Sequence, residues 1–114
     1  MWEDSLEHRR CIIPSYGFYE PHKSEPHPSL KTGKPIKDQY FFRLPSADIL
    51  MMAGVYEEGH FSIMTTEPNR WMRDIHPRMP VILRPEELDT WLHGNYGELF
   101  DRSNVELQAQ KETA

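Results

Sequence analysis

Cysteine is nearly absent from this chain: Cys11 stands alone among 114 residues, so no intrachain disulfide can form and a thiolate-based zinc site is excluded. Long hydrophobic runs are missing as well. Nothing approaches the roughly 18 consecutive apolar residues of a membrane helix. The opening Met1-Trp2-Glu3-Asp4-Ser5-Leu6-Glu7-His8 has neither the basic start nor the apolar centre of a secretory signal. A soluble, unexported, cytoplasmic protein with no membrane partner is therefore expected. His8, His22, His27, His60, His76 and His93 include no i, i+4 pair that a helix would bring to one metal, so neither a metal nor another cofactor is expected.

What is present is enough for one folded unit. Apolar residues make up 38% and aromatics 11%, while ten prolines and a mean hydropathy of -0.72 imply a loop-rich single domain over residues 1–114. The net charge of -5 argues at first against a nucleic-acid partner. Its distribution is uneven: residues 9–84 hold eleven bases against eight acids, and the acidity lies in the flanks. The middle of the chain can face an anion, or its charges can be ordinary solvated surface.

Turn residues divide the chain into short elements. Arg10 to Pro14 and Phe18-Tyr19-Glu20 read as two brief strands kinked at Ser15-Tyr16-Gly17, with Pro21 as the stop. Residues 21–37, with four prolines and four lysines, read as a long loop. Tyr40-Phe41-Phe42-Arg43-Leu44 and Ile49 to Tyr56 read as a hairpin, extended by a strand from His60 to Thr65. Thr66 as N-cap, with Trp71, Met72 and Ile75 as one stripe, predicts a helix ending near His76. Val81-Ile82-Leu83 predicts a buried strand, and Pro85-Glu86-Glu87 opens a second helix that Gly94 ends. Residues 102–114 read as a frayed polar tail. The sum is an α+β fold, a mostly antiparallel sheet with short flanking helices.

Two titratable side chains sit where chemistry is plausible, each at the edge of an apolar run bounded by turns. Glu20 follows Phe18-Tyr19, so desolvation can raise its pKa toward neutrality; the alternative is an exposed acid at a strand end. His76 stands at the predicted helix terminus against Pro77, as a proton carrier or as a cap. A carboxylate and an imidazole so placed can share proton transfer. Cys11 sits between Arg10 and Ile12-Ile13 and reads as a structural thiol.

Four ordered segments carry a resemblance: Arg10 to Glu20, Met52-Ala-Gly-Val-Tyr-Glu57, Phe61-Ser-Ile-Met-Thr-Thr-Glu-Pro-Asn69, and Ile75-His-Pro-Arg-Met-Pro-Val-Ile-Leu83. Over residues 5–93 the chain resembles the SRAP family, the SOS response-associated peptidase domain proteins. The resemblance implies a twisted, partly barrel-like sheet and a positively charged channel for single-stranded DNA. It also implies an activity, covalent capture of abasic sites as a thiazolidine on an N-terminal cysteine. Glu20 then matches a proton shuttle, His76 the histidine assisting sugar-ring opening, and Thr65 a threonine orienting the abasic sugar. Arg78 matches a phosphate contact, and Arg10 and Arg70 join it as expected DNA contacts.

The chain departs from that pattern where the family's attacking group lies. Family members begin Met-Cys-Gly-Arg, whereas this sequence begins Met1-Trp2-Glu3. An upstream Asn-Ala-Arg-x-Glu segment and a C-terminal Val-Asn motif are also missing, and Pro21 replaces a tryptophan. The expectation is a partial domain holding the assisting half of a site, its nucleophile outside this sequence. A single-stranded DNA-binding module without crosslinking, with Tyr16, Tyr19 and Trp71 as stacking candidates or core, is the second reading. A small hydrolase or interaction domain keeping only the fold is the third.

Overall fold

The structure is a computed structural model that describes residues 2–28 and 35–112. In chain order the elements are α1 (Trp2–His8), β1 (Arg10–Ser15), β2 (Phe18–Pro28), β3 (Pro35–Arg43), β4 (Leu50–Glu57), β5 (His60–Ile63), β6 (Thr65–Thr66), β7 (Met79–Pro80), β8 (Ile82–Leu83), α2 (Leu88–His93) and β9 (Gln108–Glu112). Short 3-10 turns cover Pro85–Glu87 and Tyr96–Phe100. The fold is α+β, as expected. Its described strands form three antiparallel sheets rather than a closed barrel: β1-β4-β5 with β8 also on β4, then β2-β3-β9, and the small β6-β7 pair. No helix among the described residues is long and apolar enough to cross a membrane.

The central strand is β4, which pairs with β1, β5 and β8 and feeds a core on each of its faces. Leu50 and Met52 join Phe42, Met72, Met79, Ile82, Val105 and Leu107 on one side. Ala53 and Val55 join Val81, Leu83, Trp91 and Leu99 on the other. The period-2 alternation of a strand divides these neighbours between two clusters. Arg10 ties both helices to β1. Its guanidinium donates to the carbonyls of Leu6 and Glu7 at the end of α1 and of Trp91 and Leu92 in α2, and lies 4.4 Å from the Tyr96 ring centre. A cation there satisfies the orphan carbonyls of both helix ends. Arg10, expected as a DNA contact, is thus engaged in holding both helices to β1.

Four other expectations fail for physical reasons. Residues 21–28 and 35–37 are strand, not loop: β2 runs on past Pro21 and pairs with β3, with a register shift between Pro21 and Pro26. Residues 29–34 of that stretch lie outside the described residues. Proline is excluded from central strands but tolerated on an edge or at a bulge, and β2 is an edge strand. The expected hairpin between β3 and β4 is absent; the two strands enter different sheets, and Phe42 meets Leu50 and Met52 through the core instead. The helix expected over 66–76 is a run of turns. The turns open at Asn69, whose side chain accepts the Trp71 N–H at 3.1 Å as a cap does, and they end at His76 without forming a regular helix. His76 therefore stands at no helix terminus.

The tail is not frayed. Arg102, Val105 and Leu107 are buried, and β9 adds to β3, although residues 113 and 114 lie outside the described residues. The Arg102 guanidinium, 4% exposed, grips both oxygens of Glu87 at 2.7 and 3.1 Å and donates to the Ile82 carbonyl at 3.0 Å. Burial alone would raise the Glu87 carboxyl, but the bonds from Arg102 and from the Arg84 N–H outweigh it and hold the group below the ordinary 4.5. The carboxylate form therefore contributes stability above that value, and the contribution is lost as pH falls through the lower folded pKa. Removing one partner of a buried pair leaves the other uncompensated. Urea unfolding of Glu87→Ala at neutral pH is expected to show a loss of about 3 kcal/mol, with a weaker decline than the parent chain on acidification.

Candidate active site

β2 places Glu20 by alternation. Phe18, Glu20 and His22 share the inner face, where Phe18 stacks on buried Phe42 at 5.2 Å and the His22 ring lies 5.6 Å from Tyr40. Glu20 thus shares this face with the rings and with the Lys111–Asp38 ion pair at 2.8 Å. His76 reaches it from the turns over residues 70–76. Those turns are clamped to β2 by the Lys23 N–H donating to the Ile75 carbonyl at 2.8 Å and by the Lys23 Nζ donating to the Arg73 carbonyl at 2.7 Å.

The result is a direct contact, His76 Nε2 to Glu20 Oε2 at 2.9 Å, with both side chains about one-quarter exposed. Burial raises the Glu20 carboxyl above its ordinary value, and the His76 charge partly opposes that rise. The other imidazole nitrogen, Nδ1, faces the Arg78 carbonyl at 3.0 Å and the Arg78 N–H at 3.3 Å. One backbone unit thereby serves both protonation states of Nδ1, since it offers an acceptor and a donor. When Nδ1 donates to the carbonyl, a single proton is shared between Nε2 and Oε2. The pair can pass that proton in either direction without a large movement.

Thr65, on β6, enters the same cluster through Arg78. The Arg78 guanidinium donates to Thr65 Oγ1 at 3.0 Å and to the Thr65 carbonyl at 2.9 Å, and both residues are exposed. Register fixes this, because Thr65 pairs with Pro80 and Thr66 with Met79. The threonine hydroxyl keeps its own hydrogen to donate while it accepts from Arg78. Glu20, His76, Arg78 and Thr65 are thus joined by consecutive bonds. Arg70, in contrast, lies over the Trp71 ring at 4.2 Å and is exposed on the turn segment. With Arg73 it lines a shallow cleft of about 330 Å³ beside Pro68, Asn69, Ser103 and Asn104. Arg70 and Arg73 are exposed cations on the turn segment that leads to His76, and suit an anion.

Several residues that matter were not singled out from sequence. Lys23, which clamps the turns, was hidden in a segment that read as loop, and Arg102 in one that read as tail. Of the stacking candidates, Tyr16 and Tyr19 are exposed, at 76% and 62%, rather than core, whereas Trp71 packs against the core. Cys11 is half-buried, and burial raises its thiol pKa, as a structural thiol requires. Among the described residues no group of three histidines, cysteines or acids is placed to hold a metal.

Comparison with known proteins adds a lineage to this geometry. The chain is 40% identical over 97 residues to the abasic site processing protein YoqW of Bacillus subtilis, an alignment covering 77% of this chain and 40% of that protein. It is 29% identical over 126 residues to the abasic site processing protein HMCES of Rattus norvegicus, covering 87% of this chain and 35% of that protein. A solved structure of a protein from Bacteroides thetaiotaomicron superposes with a TM-score of 0.72 at 27% identity, over 95% of this chain and 51% of that one. The chain spans about two-fifths of the length of the YoqW protein. A family profile described as SOS response associated peptidase (SRAP) matches residues 1–112. The chain belongs to the SRAP family.

Proposed function

We propose that this chain is the part of an abasic-site processing protein that binds single-stranded DNA and supplies proton transfer for covalent capture of the abasic sugar, the attacking cysteine lying outside this sequence. The observation that carries the proposal is the 2.9 Å contact between Glu20 and His76 at a surface position open to a ligand. An abasic site is a ring-closed sugar in equilibrium with an aldehyde. Ring opening moves a proton from the anomeric hydroxyl to the ring oxygen. Attack by an amine on the aldehyde and loss of water give an imine, and a thiol then adds to the imine carbon while the nitrogen takes up a proton. Each step needs a donor and an acceptor around one carbon, the work we assign to a carboxyl raised by burial and its neighbouring imidazole. In this reading Thr65 hydrogen-bonds the sugar and Arg78 meets a phosphate, which the bonds between the Arg78 guanidinium and Thr65 support.

With an abasic single-stranded oligonucleotide, the purified chain is expected to bind in a salt-sensitive manner and to leave no adduct that survives a denaturing gel. Failure to bind at about 50 mM salt would remove the DNA reading. Extending the chain at its N-terminus with a relative's Met-Cys-Gly-Arg-led segment is expected to restore the adduct. Within that extended protein Glu20→Gln or His76→Ala should slow adduct formation by about 10²-fold or more.

The electrostatics predict a sign that can be read separately. Since the His76 charge lowers the Glu20 pKa against the effect of burial, His76→Ala is expected to move the Glu20 carboxyl titration further up. Carboxyl carbon chemical shifts followed with pH would show it. A downward movement would contradict the placement of the imidazole.

A further inference from the structure

The three-stranded sheet that presents Glu20 on its inner face carries an exposed aromatic pair on its outer face. Tyr19, 62% exposed, pairs with Phe41 across the strands, their ring centres 4.8 Å apart at 50°. Phe41 lies opposite Gln110 on β9, and the next pair along the same face is Arg43 with Gln108, all but Phe41 being exposed. The acid nearest on this face along β9 is Glu112, which pairs with Gln39. That places it four residues from the Arg43 row, about 13 Å at 3.3 Å per residue. Gly17 makes room for the Phe41 ring. A Cβ there would collide with the Phe41 ring and the Phe42 carbonyl.

We propose that this outer face is a second contact for single-stranded DNA, where an unpaired base stacks on Tyr19 and Phe41 while the adjoining phosphate meets Arg43. The proposal rests on the DNA-binding reading above. Charge complementarity selects the occupant. The rings offer a π-face to any base, the guanidinium sits one pair further along, and the two glutamine amides carry no charge to repel a phosphate. The fold contains a contrasting case. Tyr56 and Phe61 form a similar cross-strand pair, at 45% and 62% exposure, but lie beside Glu57 and Glu58 on the β4-β5 hairpin. There Arg9 is already engaged with the Tyr56 carbonyl and Glu57, and the two acids leave a net negative charge.

The test is fluorescence anisotropy of an unmodified single-stranded oligonucleotide with the parent chain and its variants. Tyr19→Ala is expected to weaken binding about tenfold and Tyr19→Phe to restore it, as stacking requires. Arg43→Gln should lower the slope of log K against log salt by about 1. Phe61→Ala should change nothing, and an oligomer of abasic sugar-phosphates should bind parent and Tyr19→Ala chains equally. Photocrosslinking with bromodeoxyuridine-containing DNA, read by mass spectrometry, should label Tyr19 or Phe41. If the parent chain binds DNA but Tyr19→Ala and Arg43→Gln bind as well as it does, the platform is overturned while the DNA reading stands. Equal losses from Phe61→Ala, or a dimer that Tyr19→Ala dissolves, would overturn it too. If the parent chain binds no single-stranded DNA, the function proposed above falls and the platform with it.

Discussion

The site hangs on the guanidinium of Arg102. That side chain is withdrawn from water and answered by both oxygens of Glu87 and by the Ile82 carbonyl, so it holds the C-terminal segment against β8 and the start of α2. The backbone of the same segment then turns outward to the site. The carbonyls of Arg102 and Val105 each accept from Asn69 Nδ2 at 2.9 Å, and the Phe100 carbonyl accepts from the Thr66 hydroxyl at 2.6 Å. Asn69 opens the turns that carry His76, and Thr66 adjoins Thr65. Irregular backbone cannot satisfy its own polar groups as a helix or sheet does, so a segment of turns keeps one shape only where neighbours supply the partners. Here the neighbour is a stretch fixed by a buried ion pair. Precision at His76 is therefore borrowed from an ion pair that His76 itself does not touch.

The degree of burial at the pair decides what it can do. A fully exposed carboxylate would titrate in the ordinary range and be protonated too rarely near neutral pH to act as an acid. A fully buried one would have no access to a sugar. At about one-quarter exposure the Glu20 carboxyl is raised by desolvation yet stays in reach of solvent and ligand. The imidazole opposes the rise, because the charged carboxylate is favoured by a cation beside it. Burial and the imidazole therefore act on the Glu20 carboxyl in opposite directions, burial being the larger.

How much of this was legible in the sequence depends on the range over which each feature is determined. Glu20 and His76 were legible because each marks the boundary of an apolar run, a local signal. The second helix was legible for the same reason, with proline at its start and Gly94 at its end. The first expected helix failed although Trp71, Met72 and Ile75 have helical spacing; the turns start only at Asn69, whose side-chain amide is held by the Arg102 and Val105 carbonyls, 33 and 36 residues away. Arg102 failed more completely. A single arginine among polar residues looks solvated until Glu87 is placed beside it, and no periodicity encodes that meeting. The prolines of β2 misled because their rule forbids a central strand, and sequence does not say which strand is the edge.

Strand alternation finally explains why Tyr19 and Glu20, adjacent in sequence, do opposite things. Successive side chains point to opposite faces, so the register that carries Glu20 to His76 must carry Tyr19 to the outside. A shift of β2 by one residue against β3 would bring the carboxylate into water and the tyrosine into the core. Two features resist that shift. Phe18 is stacked on Phe42, which has no exposed surface, and the Phe41 ring fills the space over Gly17 that any other residue would occupy. The ring pairs thus pin the register from both faces of the sheet. The same packing that sets the inner carboxylate against its imidazole also leaves an exposed aromatic surface on the other side, and neither can be changed without the other.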